Sequence, residues 1–102
     1  MGWADAHIAK LKAGETVQFR PIGHSMRPRI ENRQLCTVVP ITKIVDIKVG
    51  DIVLCKVAGR QLVHLIKAIS SMETIQIANN KGFVNGWIGV NAVYGKVIKV
   101  EP

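Results

Sequence analysis

The stretch KVGDIVLCKV (48–57), followed directly by AGRQLVHLIKAI (58–69), carries the clearest indication of the fold. A Gly-Asp turn leads into residues 51–57, which are apolar on both faces apart from Lys56 and therefore predict a buried strand. Residues 58–60 form a tight turn into a second, largely apolar run. Together these features predict a β-hairpin.

Further short β-type segments lie on both sides of this hairpin, separated by Pro, Gly and Asn: TVQFR (16–20), QLCTVVPI (34–41), TIQIA (74–78), FVNGWIG (83–89) and YGKVIKV (94–100). Before them, Ile8 and Leu11 are at helical spacing within residues 4–12. A chain of 102 residues has room for one core. The sequence therefore predicts a single, mainly β domain: a barrel or sandwich of short strands at residues 16–102, with a helical segment at residues 1–15.

Composition narrows the class of protein. Hydrophobic residues make up 48% of the chain and charged residues 21%, as in a folded domain. No apolar run approaches the roughly 20 residues of a membrane helix, and the first residues lack the apolar core of a secretory signal. We therefore expect a soluble cytoplasmic protein without a membrane partner, located in the host cytoplasm if its origin is viral.

The charge of the chain indicates an anionic partner. Fourteen Lys and Arg residues stand against seven Asp and Glu, which gives a net charge of +7. A basic balance of this size favours nucleic acid or an acidic protein. The local cluster of cations around Ser25 supplies the predicted binding residues, which are Arg20, Arg27, Arg29 and Arg33.

The two cysteines, Cys36 and Cys55, lie in strand-like apolar runs. Neither a CxxC motif nor a metal-type spacing of ligands is present, so no metal site and no cofactor is predicted. Free cysteine is usually a small core residue. We therefore expect two buried thiols, with a disulfide between them as the alternative.

The segment RPIGHSMRPRI (20–30) raises the question of whether Ser25 is a nucleophile. A serine hydroxyl is a weak nucleophile and must lose its proton to a nearby base. The side chain of His24 points away from that of Ser25 in extended structure. His64 lies in the second strand of the predicted hairpin, on the same face as Leu62, and is the stronger candidate for the base.

Four segments, in this order, resemble the S24/S26 superfamily of signal peptidases and LexA-type C-terminal peptidase domains. GHSMRPRI (23–30) is similar to the nucleophile box, and KVGDIVLCKV (48–57) is similar to the Gly-Asp turn and strand that follow it. GRQLVHLIKAI (59–69) is similar to the strand that carries the base. IANNKGFVNGWIGVNAVYGKV (77–97) is similar to the terminal segment, and its NNKGFVNGW pattern resembles short soluble members encoded by phages.

The resemblance implies an all-β serine peptidase that uses a Ser-His dyad. Ser25 would attack the carbonyl carbon and His64 would act as the general base. The backbone N–H of Ser25 and the region of Gly23 would hold the oxyanion.

Relatives that use His as the base commonly add an Asp that orients the imidazole, but no Asp follows residue 51 in this chain. An Asn can take that place by accepting a hydrogen bond from the imidazole. The terminal segment contains four asparagines: Asn79, Asn80, Asn85 and Asn91. The predicted orienter of His64 is Asn79 or Asn80.

Two functions of different classes are predicted. The first is a soluble serine peptidase that cleaves a peptide or protein substrate. The alternative is a catalytically inactive member that acts as a basic binding module for nucleic acid or an acidic host protein. A homodimer is a further expectation, since the apolar edge of YGKVIKVEP (94–102) invites pairing with a second copy.

Overall fold

Residues 2–102 contain one α-helix, two short 3-10 helices and seven strands, and the strands make a single antiparallel sheet. The structure, a computed structural model, describes residues 2–102. Its elements are α1 (Asp5–Lys12), β1 (Val17–Phe19), β2 (Leu35–Pro40), β3 (Ile52–Val57), β4 (Arg60–Ile69), β5 (Ile75–Ala78), β6 (Val84–Ile88) and β7 (Val93–Glu101). The strand order is β1-β2-β7-β3-β4-β5-β6. The predicted mainly β fold with a small N-terminal helix is confirmed, but the sheet is not closed into a barrel. No helix within the described range has the length and apolar character needed to cross a membrane.

The β3–β4 hairpin forms where the sequence predicts it. Val57 pairs with Arg60, so Ala58 and Gly59 make a two-residue turn. Both turn residues have positive φ, 49° and 81°. This backbone twist is the one that two-residue hairpins favour. The turn therefore sets the register of β4 and, with it, the face on which each of its side chains lies.

Apolar side chains cover both faces of the sheet. Along β3, Ile52 and Leu54 join one buried cluster, whereas Val53 and Cys55 join a second. Successive side chains of a strand point to opposite faces, so the two clusters lie on the two sides of β3. The prediction that this strand is buried on both faces is confirmed.

Helix α1 packs on the sheet through Leu11, which is almost fully buried. The contact is close at Gly95 of β7, where a Cβ atom would lie 3.0 Å from Leu11 Cδ1. The same Cβ would lie 2.5 Å from Val38 Cγ1 and 2.8 Å from the carbonyl oxygen of Val39. The meeting point of α1, β2 and β7 therefore requires glycine, because any side chain would overlap backbone as well as side-chain atoms.

Strand β6 has a bulge at Asn85, because Val84 and Gly86 pair with the consecutive residues Ala78 and Ile77 of β5. A bulge bends the strand that carries it, and Gly86 permits the close approach of β6 to β3. This residue has a φ of +150°, and a Cβ on it would lie 3.2 Å from Val57 Cγ1. Strand β5 ends at Ala78, opposite Leu65 of β4. The bend therefore brings Asn85, which precedes Gly86, within reach of the part of β4 that β5 leaves unpaired.

Both cysteines are buried and free. Cys36 belongs to the first cluster and Cys55 to the second. Burial raises the pKa of the Cys36 thiol and raises that of Cys55 to about 12. The expectation of buried thiols is confirmed and the disulfide alternative is wrong, because the two side chains pack in different clusters.

Candidate active site

The connection between β1 and β2 presents Ser25 at the surface. Met26 and Ile30 are buried in the first cluster, and the Ile30 N–H donates to the Met26 carbonyl at 3.0 Å, which makes one helical turn. Gly23 has a φ of +129°, and its N–H donates to Asn32 Oδ1 at 2.8 Å. The connection is therefore held in place on both sides of Ser25, by the Gly23 hydrogen bond before it and the buried side chains after it. Ser25 itself is exposed.

His64 reaches Ser25 from strand β4. It is 8% exposed and is the only polar residue among residues 2–102 that is buried. Its Nε2 lies 3.0 Å from Ser25 Oγ, which is a hydrogen-bond distance. The fold thus brings together two residues that are 39 positions apart in the sequence.

The other nitrogen of His64 contacts Asn85 of β6. The distance from His64 Nδ1 to Asn85 Oδ1 is 2.7 Å. An amide oxygen can only accept a hydrogen bond, so Nδ1 must carry the proton and donate it. In a neutral imidazole Nε2 is then an acceptor, and the Ser25 hydroxyl donates to it. This arrangement fixes the tautomer that a general base requires.

Asn79 and Asn80, the predicted orienters, use their side chains in hydrogen bonds to other partners than His64. Asn79 Oδ1 accepts hydrogen bonds from the N–H groups of Lys81 and Phe83, so its side chain caps its own turn. Asn80 Nδ2 donates to the carbonyl oxygen of Arg27. The partner of His64 Nδ1 is therefore Asn85, because the bend at β6, and not the preceding turn, faces the end of β4.

Asn80 has a different place in the site. Its backbone N–H donates to the Ser25 carbonyl at 3.0 Å, and its side-chain amide donates to the Arg27 carbonyl at 2.9 Å. One residue thereby holds the main chain just at and after the serine. The segment from Asn79 to Asn85 consequently contacts both the serine turn and the histidine.

The surroundings of His64 favour its neutral form. Burial lowers the pKa of His64 below its usual 6.5, and the positive charge of Arg60 lowers it further. The hydrogen bond from Nδ1 to Asn85 opposes these effects but does not reverse them. The imidazole is therefore able to accept a proton at neutral pH.

We expect the His64 imidazole to titrate below pH 6.5 in a histidine NMR experiment. The unfolded chain then binds more protons than the folded one between the folded pKa and 6.5, so the free energy of unfolding rises with pH through that window. Equivalently, the free energy of unfolding falls as the pH is lowered through this window. An imidazole that titrates above 6.5 would contradict this expectation. Asn85→Asp is the matched check, since its carboxylate should raise the His64 pKa relative to the unchanged chain.

The region predicted to hold an oxyanion is only partly open. The N–H of Gly23 is taken by Asn32 Oδ1. Among residues 2–102, no backbone carbonyl accepts a hydrogen bond from the N–H of Ser25. Of the two predicted donors, the backbone of Ser25 is thus the one that can still donate to a developing negative charge.

Ser25, His64 and Asn85 line a groove with a volume of about 620 Å³. This size is within the range of pockets that bind small ligands or several residues of a peptide. Its wall includes Trp3 and Phe83, both more than half exposed. The serine and histidine therefore face a space that a substrate can enter.

The four arginines of the predicted binding cluster have different neighbours. Arg20 lines the groove and donates to the carbonyl of Arg33 at 2.9 Å. Arg27 is paired with Glu31 at 2.7 Å. Arg29 donates to the carbonyl of Gly50 at 3.1 Å and lines a second, smaller cavity. Arg20 and Arg29 therefore line different cavities, and Arg27 is engaged by an acidic side chain.

Arg60 was missed by sequence reasoning, although it lines the groove. It is the first residue of β4, directly after the turn at Ala58 and Gly59, where a charged residue is the usual solvent-exposed choice, so the sequence does not indicate that it lines the groove. Within the described residues, 2–102, no three His, Cys, Asp or Glu side chains converge on a point that could hold a metal ion.

Comparisons of the chain with protein-family models, curated proteins and solved structures found no match.

Proposed function

We propose that this chain is a serine peptidase in which Ser25 is the nucleophile, His64 the general base and Asn85 the residue that orients His64. The observation that carries the proposal is the 3.0 Å distance between Ser25 Oγ and His64 Nε2. Hydrogen bonds at both imidazole nitrogens, burial of the ring and a groove beside the serine support it. The resemblance to the S24/S26 superfamily favours a peptide bond as the bond that is cleaved.

Each step of the proposed reaction is a transfer that the geometry allows. Ser25 Oγ attacks the carbonyl carbon while its proton passes to His64 Nε2. The N–H of Ser25 donates to the oxygen that becomes negative. The C–N bond then breaks, and Nε2 returns the proton to the leaving amine. His64 Nε2 next takes a proton from water while the water oxygen attacks the acyl carbon. The bond between that carbon and Ser25 Oγ then breaks, and Nε2 returns the proton to Oγ.

Asn85 has a limited role in this scheme. It accepts the hydrogen bond from Nδ1 and so holds the ring with Nε2 toward Ser25. It carries no charge with which to stabilise the imidazolium that forms during the reaction, which an Asp would do. The lowered pKa of His64 acts in the same direction, since it also disfavours the imidazolium. We therefore expect a slower enzyme than one with a Ser-His-Asp triad.

Hydrolysis of a peptide mixture tests the proposal. Incubation of the chain with peptides obtained from a digested proteome, followed by mass spectrometry of new termini, should reveal cleavage. Ser25→Ala should abolish it with the fold intact, whereas Ser71→Ala, at an exposed serine outside the groove, should not. Cleavage that persists in Ser25→Ala, or none by the unchanged chain, would count against a peptidase.

Asn80 should act as a positioning residue in this reaction. Asn80→Ala removes the hydrogen bond to Arg27, while the backbone bond to Ser25 remains. A hydrogen bond of this kind contributes about 1 kcal/mol, so we expect kcat to fall by up to about fivefold with little change in KM. Asn91→Ala, at an exposed turn, is the control. Equal effects of the two substitutions, or a change in KM alone, would remove Asn80 from this role.

A second candidate is a binding module without catalysis, which the net charge of +7 favours. If the partner is duplex nucleic acid, the logarithm of the affinity should fall with that of the salt concentration with a slope of about −0.9 per phosphate contact. Filter binding at two salt concentrations measures the slope. This function requires tight binding that Ser25→Ala leaves unchanged, and an affinity insensitive to salt would exclude it.

A further inference from the structure

We infer that the groove binds a peptide in which a bulky apolar side chain stands next to an acidic residue. The inference rests on the proposed function and names its substrate class. It comes from two properties of the groove that the serine and histidine do not explain: an apolar wall that is exposed to solvent, and cations with no acidic counterpart.

The apolar wall consists of large side chains that water can reach. Trp3, Ile22 and Phe83 all line the groove and are 54%, 78% and 65% exposed. Several large apolar side chains exposed around one concavity usually mark a binding site. Trp3 is also fixed in place, because its Nε1 donates to the Gln61 carbonyl at 3.1 Å and its ring packs edge-on against Phe19. A wall that is already ordered loses little entropy when a ligand binds.

The charge of the groove has one sign. Arg20 and Arg60 line it, and among the described lining residues there is no Asp or Glu. Arg20 is held by the Arg33 carbonyl, so its guanidinium is fixed at the rim. The positive charge of Arg60 is close enough to His64 to affect it. A carboxylate on the bound chain would therefore meet cations, whereas a lysine there would be repelled.

The Ser25-His64 dyad, together with these two properties, favours a peptide over a nucleic acid. The phosphates of a single-stranded nucleic acid would pair with the arginines and its bases would stack on Trp3 and Phe83, but a nucleic acid has no acyl carbon on which the dyad could act. The dyad at the same groove acts on an acyl carbon, which a peptide supplies. The occupant that matches all of these features is an acidic, apolar peptide.

Binding of fluorescent eight-residue peptides to the Ser25→Ala variant, followed by anisotropy, tests this inference. Three peptides differ at two adjacent positions: Phe-Glu, Ala-Glu and Phe-Lys. We expect Phe-Glu to bind most tightly, and its advantage over Phe-Lys to shrink as salt is added. A (dT)₈ oligonucleotide should compete poorly.

Five variants in the same background, two of them controls, locate the contacts. Arg20→Gln and Arg60→Gln should each weaken binding of the Phe-Glu peptide about two- to fivefold. Lys67→Gln, at an exposed position of β4 outside the groove, removes the same charge and should have no effect. Trp3→Ala should reduce the preference for Phe over Ala about tenfold, and Trp87→Ala, at an exposed tryptophan outside the groove, should leave it unchanged.

The outcomes separate this inference from the proposed function. Binding of Phe-Lys as tight as that of Phe-Glu, equal effects of Arg60→Gln and Lys67→Gln, or strong competition by (dT)₈ would overturn the inference. If the unchanged chain hydrolyses all three peptides equally, the peptidase stands and the inference fails. If the selective binding is found but no peptide is cut, the inference stands and the peptidase fails.

Discussion

Replacing His64 by glutamine is expected to lower peptide hydrolysis by about 10²–10⁴-fold, the range that a general base contributes. Glutamine is close to imidazole in size, and it can accept a hydrogen bond from Ser25, but it cannot take up the proton. The loss should appear in kcat/KM measured with any peptide that the unchanged chain cleaves. The same loss of kcat/KM should be found at every pH at which the two chains are compared.

His24→Gln is the matched control for this substitution. His24 precedes Ser25 in the sequence, yet its residue is exposed and does not line the groove. Its replacement should therefore leave kcat/KM unchanged, with melting curves verifying that both variants are folded. If His24→Gln inactivates the chain and His64→Gln does not, the base has been assigned to the wrong histidine.

Replacing Gly95 by valine is expected to lower the free energy of unfolding by about 3 kcal/mol, at the upper end of what overpacking usually costs. The first carbon of any side chain there would already lie 2.8 Å from the Val39 carbonyl oxygen and 2.5 Å from Val38 Cγ1. The backbone oxygen cannot turn aside, so either β2 or α1 must move. Urea denaturation followed by circular dichroism measures the change.

Gly89→Val supplies the comparison for this effect. Gly89 has an extended backbone with a φ of −84°, and nothing lies within 4 Å of a Cβ built there. Its replacement by the same side chain should change the stability by less than about 0.5 kcal/mol. Similar losses in the two variants would mean that the cost comes from losing glycine and not from crowding between α1, β2 and β7.

The central hairpin and its two-sided burial were predictable because they depend on local patterns. Alternation along residues 52–57 puts successive side chains on opposite faces, and the two-residue turn at Ala58 and Gly59 follows from the spacing of the two strands. The same pattern places His64 on a defined face of β4. It is the nearest that sequence reasoning comes to the site.

The partner of His64 was not predictable, because it depends on how strands far apart in the sheet approach each other. The residue type does not distinguish the candidates, since one short segment contains Asn79, Asn80 and Asn85. The choice among them follows from the bulge in β6, where Val84 and Gly86 pair with consecutive residues of β5 and Asn85 is left between them. No periodicity in the sequence encodes that bulge, although an Asn-Gly pair inside a strand is a sign of irregular backbone.

The set of residues that line the groove also could not be predicted from the sequence. Trp3 reaches it because Gln61 holds the start of the chain through its carbonyl, which accepts from Trp3 Nε1, and through its side chain, which accepts from the Ala4 N–H. Arg60 lines the groove because it is the first residue of β4, the strand that also carries His64. In contrast, Arg27 was grouped with Arg20 because the two are close in the sequence. In the structure Arg27 forms a salt bridge with Glu31.

The identity of Ser25 as a nucleophile activated by His64 is tested most directly by labelling with a fluorophosphonate, followed by mass spectrometry of the intact and digested chain. We expect one adduct, on Ser25, that is absent in Ser25→Ala and forms far more slowly in His64→Gln. Its rate should rise with pH through a midpoint below 6.5, because burial lowers the pKa of His64. No adduct, an adduct on another residue, or an equal rate in His64→Gln would contradict the assignment.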